Sequence, residues 1–265
     1  MICNYFGFTK KPFSRDVTAE EMFRWKEFED LKQRLAYFLK EGGMFLLSGS
    51  IGSGKTSAIK YFAHSINPNT HSVLYFNTMF ESKKDFFRSM ISACGMTPSF
   101  YISDCRGMLK KYFLEMQYVK KITSVVIFDE AQNIPGFLLE EIRLLGNFDF
   151  DSSSPVLFII AGHRLLQQRI ALHENEALRQ RFTLKFLLQG MTLEETCGYI
   201  RHRLGRAGST GSIFADAVLG RIHEESAGIP RLVNNICNAL LLAAVVSEKK
   251  VVDEFLFEQT RDEWK

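Results

Sequence analysis

The sequence predicts an α/β fold: a P-loop parallel sheet flanked by helices, with a small C-terminal all-helical domain behind it. Three observations predict this. Up to about residue 190, apolar runs of strand length alternate with stretches of helical periodicity. Two of the runs, Ser124–Phe128 and Val156–Ala161, are almost or wholly apolar throughout, as strands covered on both faces are. The first run, Met44–Ser48, leads into Gly49-Ser50-Ile51-Gly52-Ser53-Gly54-Lys55-Thr56 and then into a helical pattern from Ser57. Strand, glycine-rich loop, Lys-Thr and helix is the order of a phosphate-binding loop.

The elements follow in order. Residues 1–15 are aromatic and irregular around Tyr5-Phe6-Gly7-Phe8 and Pro12-Phe13, and are expected to pack back on the core. Thr18-Ala19-Glu20-Glu21 has capping-box spacing, and Met22, Trp25, Phe28, Leu31, Leu35, Phe38 and Leu39 recur at helical intervals behind it. Gly42-Gly43 ends that unit. A second strand covers Ser72–Asn77, and Ser82 caps a helix carrying Phe86, Phe87, Met90 and Ile91. A further helix runs from about Asp104 to Val119, and the third strand ends in Asp129-Glu130. A helix over Phe137–Leu145, a polar turn at residues 151–155, the fourth strand and a fifth near Thr183–Leu187 complete the sheet. From Met191 onward only helical patterns remain, beginning with a second capping box, Thr192-Leu193-Glu194-Glu195. The expected domains are therefore 1–190, a nucleotide-binding domain that includes the N-terminal aromatic segment and helix at 1–41, and 191–265, a helical lid.

Composition bounds the function. The 265 residues are 46% hydrophobic, enough for a sizeable core. No apolar run approaches the roughly 18–20 residues of a membrane span, and the N-terminus lacks the apolar core of a secretory signal. Five scattered cysteines without a CxxC pair point to reduced thiols in a cytoplasmic protein. Net charge is only +3, but basic residues outnumber acidic ones over Glu81–Lys121 and again over His163–Arg206. Such surfaces can face DNA phosphates, and ordinary solvated surface accounts for them as well.

The chemistry follows from residue types. The loop glycines let successive N–H groups turn inward onto phosphate oxygens at a helix N-terminus, so Gly49 through Thr56, with Ser57 at the helix start, are the expected nucleotide contacts. Lys55 supplies a positive charge to the β- and γ-phosphates. Thr56 and Asp129 are the expected Mg²⁺ partners, the carboxylate acting through waters. Glu130, beside it, can orient and polarise the attacking water. With Lys55, this set predicts ATP hydrolysis. Arg179 and Arg181, ahead of the fifth strand, can serve a neighbouring subunit's γ-phosphate or simply pair with nearby acids. Pro230 suits a first helical turn, and Arg231 beside it can reach phosphates or hold an interdomain salt bridge.

Together these motifs resemble the AAA+ ATPases, and within them the ExeA-like (GspA-like) branch. The resemblance is carried by Tyr5-Phe6-Gly7-Phe8 with Pro12-Phe13, the P-loop and Val126-Ile127-Phe128-Asp129-Glu130-Ala131-Gln132-Asn133. It continues through Glu141-Ile142-Arg143-Leu144-Leu145, Leu178-Arg179-Gln180-Arg181, Tyr199–Leu204 and Gly228–Asn235. It implies Arg179 or Arg181 as arginine fingers acting in trans, Arg231 as the sensor-2 arginine, and ring or helical-filament homo-oligomers with ATP at subunit interfaces. The segment Asn147–Ser152 resembles transposon-associated members. Where the branch often has glutamine after glycine as sensor 1, this chain has Gly162-His163, with His163 as a candidate for that role or a helix cap. Freestanding copies of this size are similar to the transposition regulators TnsC, IstB and MuB. That likeness implies assembly on duplex DNA, with a transposase and a target-selector protein as partners and no membrane. Lys83, Lys84, Lys110 and Lys111 are then the expected backbone contacts. The alternative is the ATPase module of an ExeA-like secretion assembly.

Overall fold

The computed structural model of the protein describes residues 1–14, 17–18, 21–77, 79–148, 154–209 and 211–264. It forms two compact units. One comprises Asp30–Gly49 and Lys55–Leu188; the other comprises Met1–Glu29, Ser50–Gly54 and Gln189–Lys265.

The first unit holds the sheet. Its strands are β1 (Met44–Gly49), β2 (His71–Phe76), β3 (Thr123–Phe128), β4 (Val156–Gly162) and β5 (Phe182–Leu188). They are ordered β2-β3-β4-β1-β5 and every pairing is parallel. Every residue of β1 and β4 is buried, whereas the edge strands β2 and β5 keep exposed positions. The apolar runs in the sequence are thus strands covered on both faces. Phe76, Phe128 and Phe158 stack across three neighbouring strands, with ring centroids 5.4 Å and 6.4 Å apart. Aromatic pairs of this kind add about 0.5–1.5 kcal/mol each beyond the area they bury. The order places the carboxyl ends of β1 and β3 on either side of the end of β4, where ligands bind in open parallel sheets.

Helices of this unit include α3 (Lys55–Ser65), α4 (Lys83–Ala93), α5 (Ile102–Leu114), α6 (Gly136–Leu145), α7 (Arg164–Ala171) and α8 (Glu176–Arg181). Ser82 caps α4 by accepting the Asp85 N–H. α5 continues into a π-helical turn at Glu115–Val119, so the single helix expected over 104–119 changes its winding near its end. The polar turn at 151–155 and the Asn147–Ser152 motif fall mostly on residues 149–153, outside the described residues.

The second unit joins the chain's start to its helical end. α1 (Ile2–Phe6) is one helical turn where irregular chain was expected, stopped by Gly7 in the left-handed region (φ 74°). The remaining helices here are α9 (Leu193–Arg206), α10 (Asp216–Ser226), α11 (Pro230–Val246) and α12 (Glu254–Thr260). The buried Arg203 guanidinium donates to the carbonyls of Pro12 (2.7 Å) and Ser14 (2.6 Å), and Asn238 donates to Phe13 O. These bonds satisfy N-terminal carbonyls from α9 and α11. They account for residues 1–29 grouping with 189–265, whereas the sequence pattern predicts 1–41 with the sheet. The helix expected behind Thr18 starts later, as α2 (Lys26–Glu41). Glu21 is drawn away from a capping role because its carboxylate pairs with Lys10 and Arg206. The Lys26 N–H donates instead to Glu195 Oε1 at 2.9 Å. Glu195 also completes the capping box of α9 with Thr192, as the sequence predicts.

Candidate functional site

The turn after β1 is tight because two of its glycines take conformations that other residues resist. Gly52 and Gly54 have φ of 83° and 99°, and the Ser53 N–H donates to Ser50 O. Within the same unit, the Arg231 N–H donates to Gly52 O at 3.3 Å, and an added Cβ on Gly52 would meet Arg231 Cβ at 2.5 Å. Arg231 and Pro230, the first residues of α11, therefore lie against this turn. On the Gly54 side a Cβ would stand 3.4 Å from the Trp25 indole ring. Trp25 is buried, and its indole Nε1, like the buried Ser53 Oγ, has no hydrogen-bond partner among the described residues. Nothing in the spacing of Trp25 marks it out from the other apolar positions before α2.

In the sheet unit, Lys55 opens α3, is buried, and donates from Nζ to Gly49 O at 3.1 Å. Thr56 follows, and its hydroxyl donates to Asp129 Oδ2 at 2.7 Å. Ser57 lies beside it, exposed on the first turn. Asp129 stands just past β3 and is buried, with its own N–H held by Phe76 O. A second donor reaches the same carboxylate oxygen: the Tyr75 hydroxyl, from edge strand β2, at 3.0 Å. Burial, then the charge of Asp129, pushes the Tyr75 phenol well above its ordinary value, so it is a donor at any physiological pH. The other oxygen, Oδ1, accepts the Glu130 N–H at 2.9 Å. Tyr75 was not foreseen, because parallel register between β2 and β3 sets this contact and no local motif does.

Glu130 is exposed and sits in the left-handed region (φ 52°, ψ 35°), uncommon for a residue with a side chain. Its Oε2 accepts a hydrogen bond from Gln132 Nε2 at 2.6 Å, and Gln132 Oε1 accepts the His163 N–H at 3.2 Å. The His163 ring caps α7, with Nδ1 accepting the Leu165 N–H. Here the cap-forming alternative for His163 is the arrangement seen.

The structure does not gather every candidate. Arg179 and Arg181 lie on α8 just before β5; Arg179 is 4.0 Å from Glu176 and donates to Ala171 O. Of the lysines, Lys83 binds the buried Glu141 at 2.6 Å together with Arg106. Lys110 donates to Asn147 O and lies over the Phe148 ring. Lys84 lies over the exposed Phe100 ring, and Lys111 is exposed on α5.

Comparison with known proteins agrees with the fold. Residues 39–170 match the family model described as an AAA domain. The chain is 29% identical over 250 residues to general secretion pathway protein A of Aeromonas hydrophila, covering 92% of this chain and 45% of that protein. The chain thus spans less than half the length of this relative. Among solved structures, Cdc6p of Pyrobaculum aerophilum superposes with a TM-score of 0.72 at 14% identity, over 95% of this chain and 70% of that one. The ORC2 protein of Aeropyrum pernix does so with a TM-score of 0.68 at 16% identity, over 97% and 72%. With the parallel sheet, the glycine-rich turn and the Thr56–Asp129 pair in place, the chain matches the AAA domain over residues 39–170 and has the P-loop fold of the AAA+ ATPases.

Proposed function

We propose that the chain is a Mg²⁺-dependent ATPase that assembles with ATP on duplex DNA and regulates transposition, marking target DNA and recruiting a transposase. The observation that carries the ATPase reading is the Thr56 hydroxyl donating to the buried Asp129 carboxylate, one residue after Lys55 and one before Glu130. A hydroxyl and a carboxylate oxygen 2.7 Å apart are hard donors of the kind Mg²⁺ takes, which fits that ion. The positive-φ glycines of the turn fit a triphosphate, as does Ser53, whose buried hydroxyl has no partner among the described residues. When bound, Mg²⁺ neutralises charge on the β- and γ-phosphates. Lys55 would add positive charge to the same oxygens, Thr56 and Asp129 would hold the ion, and Glu130 would orient water. Arg231 and Pro230, which lie against the glycine turn, are the further proposed nucleotide contacts. Arg179 or Arg181 completes a neighbouring protomer's site.

The DNA reading draws on the basic surface of α4 and α5. It also draws on structural neighbours described as bound to DNA, the ORC1 protein of Aeropyrum pernix and the Drosophila ORC. Because Lys83 and Lys110 have internal partners, Lys84 and Lys111 are the lysines best placed to meet phosphates. A second reading has its own support: the Aeromonas relative is named for general secretion, which favours reading the chain as the ATPase module of such an assembly.

One experiment separates the two. Duplex DNA binding is measured with ATP, with ADP and without nucleotide, for wild type and for Glu130→Gln, which should bind ATP without turning it over. The transposition reading expects ATP-dependent binding that persists in Glu130→Gln and weakens steeply as salt rises. Negligible binding in all three states would overturn it in favour of secretion. Wild-type hydrolysis by Glu130→Gln would remove that residue's assigned role.

A further inference from the structure

We propose that Gln132 is a positioning residue for Glu130, tying the glutamate to the end of β4, and that Gly162 lacks a side chain in order to admit it. This deepens the ATPase reading and rests on it. Three observations in the sheet unit meet at one carboxamide. Gln132 Nε2 donates to Glu130 Oε2 at 2.6 Å, and Gln132 Oε1 accepts the His163 N–H at 3.2 Å. These partners fix which way round the amide lies: a backbone N–H can only donate, so it must face Oε1, and the carboxylate then takes the N–H₂. Third, a Cβ on Gly162, the last residue of β4, would stand 2.7 Å from Gln132 Oε1 and 2.8 Å from Leu166 Cδ2. Both are closer than such atoms approach, and the Gln132 backbone N is only 3.3 Å away, so a Cβ at 162 makes the Gln132 amide or the Leu166 tip shift.

Glu130 has need of such a guide. Its backbone is already committed to a left-handed conformation, held by its N–H on Asp129 Oδ1 and by its carbonyl accepting the Asn133 N–H. That geometry turns the side chain outward, where it is exposed and has several rotamers to choose among. A charge-assisted hydrogen bond to one oxygen selects among them and leaves the other oxygen to address water. His163 contributes through its backbone N–H, while its ring is spent on capping α7. The end of β4 thereby acts on the glutamate through Gln132, with no side chain of its own at 162.

The test is a cycle of Gln132→Ala, Gly162→Ala and the double variant, read by ATP turnover, by affinity for a fluorescent ATP analogue, and by melting temperature. Turnover in Gln132→Ala should fall about 10- to 100-fold, the order that a misplaced catalytic group costs. Analogue affinity should stay within about twofold, given the standing of Glu130 as a group that acts on water. Gly162→Ala should lose turnover to a similar degree, and the double variant should be no worse than the more affected single one, because both changes displace one amide. Equal turnover in Gln132→Ala and wild type would overturn the proposal. So would losses in the double variant that multiply. A parallel loss of turnover and analogue affinity would show a structural role instead. The melting temperatures need no turnover: shifts that fail to add report the Gln132–Gly162 contact, and shifts that add refute it. If wild type binds the analogue and hydrolyses nothing, the ATPase reading falls and the positioning role with it, while the melting cycle still decides the contact.

Discussion

At the scale of single residues, the site turns on one carboxylate with three donors. Asp129 Oδ2 takes both the Thr56 and the Tyr75 hydroxyls, and Oδ1 takes the Glu130 N–H. The proposed Mg²⁺ role asks Thr56 to turn its oxygen to the ion. Tyr75 then remains to keep Asp129 from swinging away. Tyr75→Phe removes that hydroxyl and nothing else, so the Mg²⁺ concentration needed for half-maximal binding of an ATP analogue should rise about three- to tenfold, the net worth of one typical hydrogen bond. Binding without Mg²⁺ should not change. Equal effects with and without the ion would make Tyr75 a packing residue. How much of this was legible beforehand depends on range. Lys55, Thr56, Asp129 and Glu130 announce themselves because the loop and the strand end are local in sequence. Tyr75 and Gln132 do not: one needs the β2–β3 register and the other the close approach of β4, both set by tertiary packing.

Among the elements, the three helices α4, α5 and α6 meet at an ion triad. Glu141 on α6 is 3% exposed, and Lys83 on α4 and Arg106 on α5 each reach one of its oxygens at 2.6 Å. Burial works to raise the Glu141 pKa, but the bonds from Lys83 and Arg106 together prevail, and the net position is below the ordinary carboxylate value. A carboxyl group depressed in the folded state stabilises it fully above the unfolded pKa, near 4.3, and that contribution fades as pH falls through the folded value. Glu141→Gln should therefore lower stability at pH 7 by about 1–3 kcal/mol, with the deficit against wild type shrinking as pH drops below about 4; urea unfolding at pH 7 and at pH 3.5 checks it. An undiminished deficit at the lower pH would show that packing, not charge, holds the three helices there. The triad also explains why a basic count over α4 and α5 overstates the surface open to DNA: Lys83 reads as a free cation in the sequence because its acid lies 58 residues away. Short-range signals fared better. The α9 capping box was legible in four residues, while the same pattern at Thr18 failed because Lys10 and Arg206 take up Glu21.

For the molecule as a whole, the open question is whether one protomer can complete its own reaction. Arg179 and Arg181 sit at the end of α8, where the Arg179 contacts are an exposed pairing with Glu176 at 4.0 Å and a 3.4 Å bond to Ala171 O. Contacts that weak leave a long side chain available at little cost, since exposed ion pairs contribute roughly 0–1 kcal/mol. If one of these arginines serves a neighbour's γ-phosphate, its removal should cost about 10³-fold in turnover, in the range of other arginine fingers, while leaving ATP binding nearly intact. Mixing then distinguishes a neighbour's arginine from a protomer's own. Lys55→Ala protomers cannot bind productively but carry both arginines, and Arg179→Ala or Arg181→Ala protomers have an intact loop but lack one. The Lys55→Ala protomers, and the arginine variant that lacks the finger, should each be nearly inactive alone. A mixture should regain measurable hydrolysis, because a Lys55→Ala neighbour supplies the missing guanidinium to a competent loop. Recovery with only one of the two arginine variants would name the finger. No recovery with either, at concentrations where wild type turns over, would mean that the arginines act within their own chain and that the proposed assembly is not where hydrolysis is completed.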